Sequence, residues 1–164
     1  VLYVSALVAY DGTAYRGFQY QANAASIQCE LEAALDKVTE HRGRVSGAGR
    51  TDAGVHANGQ VIAVRLQWQH DVLSLQRAWN VNLPDDVAVR SVRVAPEDFH
   101  PRFSAISRTY RYTVWQSDAA PREAPRRSPL TDRFGLYEVR SLDLSAMQAA
   151  TQELVGSHDF ATFG

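Results

Sequence analysis

Between Gly47 and Ala57 the chain reads Gly-Ala-Gly-Arg-Thr-Asp-Ala-Gly-Val-His-Ala, gathering Arg50, Asp52 and His56 among three glycines. Each of these side chains can do chemistry. A carboxylate serves as nucleophile or general base, a guanidinium holds a phosphate, and an imidazole moves a proton. Arg50 stands two residues before Asp52, and His56 four after it. The glycines permit positive φ and close approach of another molecule to the backbone. Read without any relative, Asp52 has a second interpretation: a turn-forming residue whose carboxylate hydrogen-bonds its own backbone.

Several chemistries are disfavoured by the same residues. The dinucleotide pattern Gly-x-Gly-x-x-Gly is met by Gly47 and Gly49 but fails at Asp52, and no Gly-Lys followed by Ser or Thr offers a phosphate loop. A metal centre needs ligands beyond Asp52 and His56. His41, His70, His100 and His158 are scattered, so no metal is expected. No serine-type nucleophile elbow is present.

A loop aims its residues only if its ends are fixed. Here residues 42–46 read as a short strand and residues 60–66 as a β-branched one, so the run is a loop between two strands. Before them, residues 2–10 alternate in part and read as a strand closed by Asp11-Gly12. Residues 13–24 read as loop, dense in aromatic and amide groups. Ser26 is a good N-cap, and Ile27, Leu31, Ala34, Leu35 and Val38 share one helical face. Asp71 caps a second helix through Leu75 and Trp79, stopped by Asn82-Leu83-Pro84. Residues 87–94 alternate as a strand. The order β-α-β-β-α-β is the ferredoxin-like arrangement, an α+β fold whose antiparallel sheet carries both helices on one face.

Residues 96–101 read as a crossing linker, giving a first domain over 1–99. Residues 109–116 begin a new strand with Tyr110, Tyr112 and Val114 on one face. A Pro- and Arg-rich loop over 117–133 follows, a candidate RNA-facing segment. Residues 135–139 offer a short strand, and Asp143 caps a helix from 144 to 155 ended by Gly156. These elements of 100–164 are too few to close a domain, so the expectation is the beginning of a second, α/β catalytic half. No internal repeat is visible.

The chain of 164 residues, 45% hydrophobic and 21% charged, has the composition of an ordinary globular protein. No apolar run is long enough to cross a membrane, and the start lacks the pattern of a signal peptide. The first residue is not Met, so further N-terminal sequence is expected. Cys29, the single cysteine, sits beside Ile27 and Leu31 at a helical position and reads as a structural thiol. All this fits the cytosol. The formal net charge of −1 does not mark a nucleic-acid binder. Its distribution is more informative, because all but one of the 17 basic residues are arginines. They cluster at Arg42, Arg44 and Arg50, at Arg102, Arg108 and Arg111, and at Arg122, Arg126, Arg127 and Arg133. Arginine suits bidentate phosphate contacts and stacking on bases.

The unbroken run Gly49 to Ala57 resembles the signature of the TruA family, the tRNA pseudouridine synthases. Tyr10-Asp11-Gly12-Thr13, Asn82-Leu83-Pro84, Phe99-His100-Pro101-Arg102-Phe103-Ser104-Ala105 and Arg108-Thr109-Tyr110-Arg111-Tyr112 resemble the family too, and together these stretches span almost the whole chain. The resemblance implies an isomerase that converts uridine to pseudouridine at positions 38–40 of the tRNA anticodon stem-loop, acting as a homodimer without a cofactor. It implies that Asp52 is the catalytic carboxylate. It implies that Arg50 holds the flipped-out state and Tyr110 stacks on the target base, with Arg102 a phosphate contact. His56 is expected to pack the loop. The family's basic partner of the carboxylate belongs to a motif later than Gly164, so the chain as given is expected to lack part of the active site. One departure is Phe18-Gln19-Tyr20-Gln21 where the family carries Trp-Gln-x-Gln, which removes an indole N–H. The rival expectation is a non-catalytic RNA-binding module on the same sheet, and a third is a protein-interaction domain that keeps the motif.

Overall fold

The computed structural model describes residues 1–116 and 128–163, in two compact units, Val1–Thr109 and Tyr110–Gly164. The first unit is α+β. Its elements run β1 (Leu2–Tyr10), α1 (Ile27–Asp36), β2 (His41–Gly47), β3 (Ala57–Leu66), α2 (Val72–Asn82) and β4 (Val87–Val94). The strands form one antiparallel sheet in the order β2-β3-β1-β4.

Alternation explains how the central strand is used. Val4, Ala6, Val8 and Tyr10 are buried, whereas Tyr3, Ser5, Leu7 and Ala9 on the other face are half-buried. Side chains alternate between faces with period two, so one face of β1 meets the core. Its register pairs Val4 with Val64 on β3 and with Val94 on β4. Onto the buried face come Ile27, Leu31, Ala34 and Leu35 of α1 with Leu75 and Trp79 of α2. Burying each large apolar side chain stabilises the fold by roughly 1.5–3 kcal/mol. The Trp79 indole N–H donates to the Leu31 carbonyl at 3.0 Å, so the bulkiest core residue also ties the two helices together.

The helix starts are local chemistry. Ser26 accepts from the Cys29 N–H and Asp71 from the Ser74 N–H at 2.9 Å, each meeting one orphan donor of a first turn. The Ser74 hydroxyl and amide hold the Asp71 carboxyl below its ordinary range. At the edge strand β4, the Asn80 amide acts as a substitute strand. It accepts from the Val89 N–H and donates to the Val89 carbonyl, both at 2.8 Å. On β2, the buried Glu32 carboxylate of α1 accepts from the Val45 N–H at 2.9 Å and pairs with Arg44 at 2.7 Å. Residues 96–101, read as a linker, lie in the first unit: Tyr3 donates its hydroxyl to the Phe99 carbonyl at 2.9 Å, and Pro101 is buried.

In the second unit, β5 (Val114–Gln116) pairs in parallel with β6 (Leu136–Glu138), and α3 (Leu144–Gln152) follows. Asp143 caps α3 by accepting from the Ala146 N–H at 2.9 Å. The strand expected from residue 109 starts only at Val114, because its partner among the described residues, β6, supplies three register pairs. A strand without a ladder has nowhere to place its hydrogen bonds, so Tyr110 and Tyr112 stand in irregular, exposed backbone. Helix α3 stops at Gln152, short of the expected 155. Its end tightens into i→i+3 turns through the Leu154 and Val155 amides, before Gly156 at φ 118°. The loop expected over 117–133 lies outside the described residues as far as 127. At its far end Asp132 accepts from the Ser128 N–H at 2.8 Å. Among the described residues no helix is long and apolar enough to cross a membrane.

Candidate active site

The loop between β2 and β3 runs from Ala48 to His56, and much of its backbone is hydrogen-bonded. The Ala48 N–H donates to the Val61 carbonyl at 2.8 Å, extending the hairpin ladder by one rung. Beyond that rung the strands part, and the carbonyls find other donors. Ala48 O accepts from the Arg108 guanidinium at 2.8 and 3.1 Å, and Gly49 O from the Gln60 side-chain amide at 2.6 Å. Thr51 O accepts from the Phe18 N–H at 2.9 Å, and Asp52 O from the Val55 N–H at 3.2 Å. The Gly54 N–H donates to the Tyr15 carbonyl at 3.2 Å, and Gly54 takes φ 78°, which glycine adopts without a Cβ penalty.

The loop rests on residues 10–18, and that bed requires glycine. A Cβ on Gly17, at φ 99°, would stand 2.6 Å from Thr51 O, and one on Gly12 would stand 2.0 Å from Val55 O. Two aromatics expected in a polar loop are core residues instead. Phe18 packs beside Tyr10, ring centroids 6.4 Å apart, and against Gly47. Tyr15 is buried and donates its hydroxyl to Asp86 at 2.6 Å. Burial, reinforced by the Asp86 carboxylate, pushes the Tyr15 phenol well above its ordinary value. The Tyr10 hydroxyl shares a hydrogen bond of 2.8 Å with the Thr51 hydroxyl. His56 holds the loop's end: its Nδ1 lies 3.1 Å from the Gly12 N–H and 3.0 Å from Asp11 Oδ1. These two contacts compete for one atom. Without a hydrogen, Nδ1 accepts from the Gly12 N–H; carrying one, in either tautomeric or charged form, it donates to Asp11 Oδ1.

On this fixed backbone Asp52 and Arg50 are exposed. Among the described residues neither side chain has a hydrogen bond or an ion pair. Arg102 is exposed too, its guanidinium 5.8 Å from the Phe103 ring. Its turn is tight: His100 Nδ1 accepts from the Arg102 and Phe103 amides at 3.1 and 3.3 Å. Tyr110 is exposed in the second unit. Among the described residues no cluster of three or more His, Cys, Asp or Glu side chains could hold a metal. A shallow groove lined by Val38, Gln67, Trp68 and His70 lies at the other end of β3 and takes no part in the loop.

Sequence reasoning passed over Arg108 and Gln60 as holders of the loop, and Tyr15 and Gly17 as its bed. For Arg108 the only sequence signal is its place in the Arg-Thr-Tyr-Arg-Tyr run. For Gly17 it is a glycine beside a buried aromatic.

The site is an acid and an arginine offered from one pinned hairpin loop of an antiparallel α+β sheet. Residues 6–104 match the tRNA pseudouridine synthase family, and the chain belongs to it. It is 44% identical over 154 residues to the tRNA pseudouridine synthase A of Roseiflexus sp., covering 94% of this chain and 54% of that protein. It is 43% identical over 160 residues to that of Chloroflexus aurantiacus, covering 98% of this chain and 55% of the relative. With that of Shewanella sediminis it shares 43% over 161 residues, covering 95% and 57%. The chain thus spans little more than half the length of the curated relatives it matches.

Proposed function

We propose that the chain forms part of an enzyme that isomerises uridine to pseudouridine in tRNA, with Asp52 as its catalytic carboxylate. In that reaction the bond between uracil N1 and ribose C1′ breaks and the freed base turns while held. A bond from C5 to C1′ then forms, the C5 proton leaves and N1 gains one. Nothing is oxidised or reduced, so the reaction calls for no cofactor. Asp52 acts on the ribose, as nucleophile or as base.

The observation that carries this reading is the contrast within one loop. Its carbonyls at Ala48, Gly49, Thr51 and Asp52 are each bonded, while the Asp52 and Arg50 side chains are exposed. A turn-forming aspartate would spend its carboxylate on nearby amides. Here the Gly54 and Val55 amides go to main-chain carbonyls instead. Arg50, two residues away, is suited to holding the flipped nucleotide. Tyr110 supplies an exposed ring for stacking on the base, and Arg102 a phosphate contact. The element order with strand order β2-β3-β1-β4 supports a ferredoxin-like domain over residues 1–99, with 100–164 beginning a second catalytic half. Family resemblance further supports uridines 38–40 of the anticodon stem-loop as targets, a homodimer, and a cytoplasmic location.

The test is Asp52→Asn in the full-length protein. Asparagine keeps the size and removes the charge. Tritium release from C5-labelled uridine in tRNA is expected to fall by on the order of 10³-fold or more, with filter binding of tRNA nearly intact. Wild-type release from the Asn variant would remove Asp52 from the chemistry. RNA retention without release by the unaltered full-length protein would favour a binding module.

A further inference from the structure

We propose that Arg108 is a positioning residue: its guanidinium fixes the Asp52 loop to the Phe99–Ser104 turn. This rests on the proposed reaction at Asp52. Nε and Nη2 of Arg108 both donate to Ala48 O, at 3.1 and 2.8 Å, and Nη2 also donates to Arg102 O at 3.0 Å. One planar group thus joins two backbone segments, and Ala48 lies 60 residues away in sequence.

The site of the clamp matters. Ala48 O is the first loop carbonyl after the last hairpin rung, so the guanidinium sets the direction in which the chain leaves the sheet. Four residues later comes Asp52, and the intervening Gly49 adds backbone freedom that the Gln60 contact to Gly49 O and the Phe18 and Tyr10 contacts to Thr51 also restrain. The second segment is itself rigid. The Ser104 N–H donates to His100 O at 2.8 Å, the His100 N–H to the Ser104 hydroxyl at 3.0 Å, and Pro101 is buried. The clamp therefore refers the loop to a built turn rather than to a mobile one.

A lysine in this place keeps the charge but not the fork that meets two carbonyls at once. If Arg108 instead served as a phosphate contact, Lys would largely replace it. The two roles therefore part in Arg108→Lys, made in the full-length protein. The expected result is a kcat lower by on the order of a hundredfold, since a displacement near 1 Å costs about that much. Binding of tRNA should stay within about twofold, because lysine keeps the positive charge, so the loss falls on kcat, which a phosphate role kept by lysine would leave unchanged. Backbone amides of residues 49–55 should exchange hydrogen about tenfold faster, while those of β1 keep their protection. In Arg108→Ala, added guanidinium should restore part of kcat, and methylammonium should not.

Unchanged kcat together with unchanged loop exchange would overturn the proposal, as would a rise in KM alone. Loss of cooperative unfolding in Arg108→Lys would mark the arginine as a holder of the whole fold and overturn it too. Faster loop exchange with wild-type kcat would show that the clamp does not serve the reaction. The proposed reaction is judged separately, because the unaltered protein either releases tritium, and loses that with Asp52→Asn, or does not.

Discussion

Replacing Gly17 by alanine isolates what the bed beneath the loop does. Gly17 has φ 99°, outside the range that L-residues adopt readily, and an added Cβ falls 2.6 Å from Thr51 O. The backbone term alone costs about 1–2 kcal/mol. Ordinary contact begins at 3.4 Å, so the Thr51 carbonyl must retreat by about 0.8 Å. That carbonyl accepts the Phe18 N–H at 2.9 Å, and losing the bond costs about 1 kcal/mol more. The expected destabilisation is therefore about 2–3 kcal/mol. Thr51 is also the neighbour of Asp52, so kcat should fall by roughly a hundredfold. Gly43→Ala is the matched control. Gly43 has φ 71° with nothing within 4 Å of its added Cβ, so it incurs only the backbone term. It should lose about 1–2 kcal/mol and leave kcat unchanged. Urea unfolding and tritium release on the same full-length preparations read both quantities. Gly17→Ala with the stability loss of Gly43→Ala and wild-type kcat would refute the claim that this bed positions the loop.

Tyr15 gives a pH signature. Its phenol is held neutral in the fold, so its contribution is complete below the unfolded value near pH 10 and is lost as the pH rises above it. Tyr15→Phe should lower stability at pH 7 by about 1.5–3 kcal/mol and flatten the alkaline limb, read by urea unfolding from pH 8 to 11. An equally steep limb in the variant would assign the alkaline loss to other groups. Arg50→Ala should reduce conversion of a paired uridine more than tRNA binding, since one exposed charge is a small part of a phosphate footprint. Equal losses in tritium release and filter binding would make it a general phosphate contact. Tyr110→Ala should weaken productive stacking by about 1–3 kcal/mol, seen as a lower kcat/KM than that of Tyr110→Phe. Normal kinetics would exclude Tyr110 as the platform.

Much of the fold was legible because its signals act over a few residues. Val4, Ala6 and Val8 declare a half-buried strand by alternation, and Ile27, Leu31 and Leu35 a buried helical face. Ser26, Asp71 and Asp143 each cap the helix they precede, because a cap needs only an oxygen within reach of the first free amides. The run from Gly49 to His56 likewise reads as a loop between two strands. The start of the second unit's first strand was not legible in the same way. Whether Tyr110 and Tyr112 join a ladder depends on how many residues the partner strand offers, and β6 offers three.

What holds the loop was decided by tertiary structure alone. Tyr15 and Phe18 sit in a polar, turn-like stretch, and only packing against the sheet shows them to be core. The need for glycine at Gly12 and Gly17 comes from carbonyls of Val55 and Thr51, which approach only once the loop folds onto its bed. Arg108 meets Ala48 across 60 residues, a separation at which no periodicity or spacing rule operates. The sequence by itself determined that an acid and an arginine would stand on a hairpin loop, because composition and turn chemistry are local. The tertiary structure determined which distant donors would hold that loop still, because a hydrogen bond between remote segments exists only after the core between them has packed.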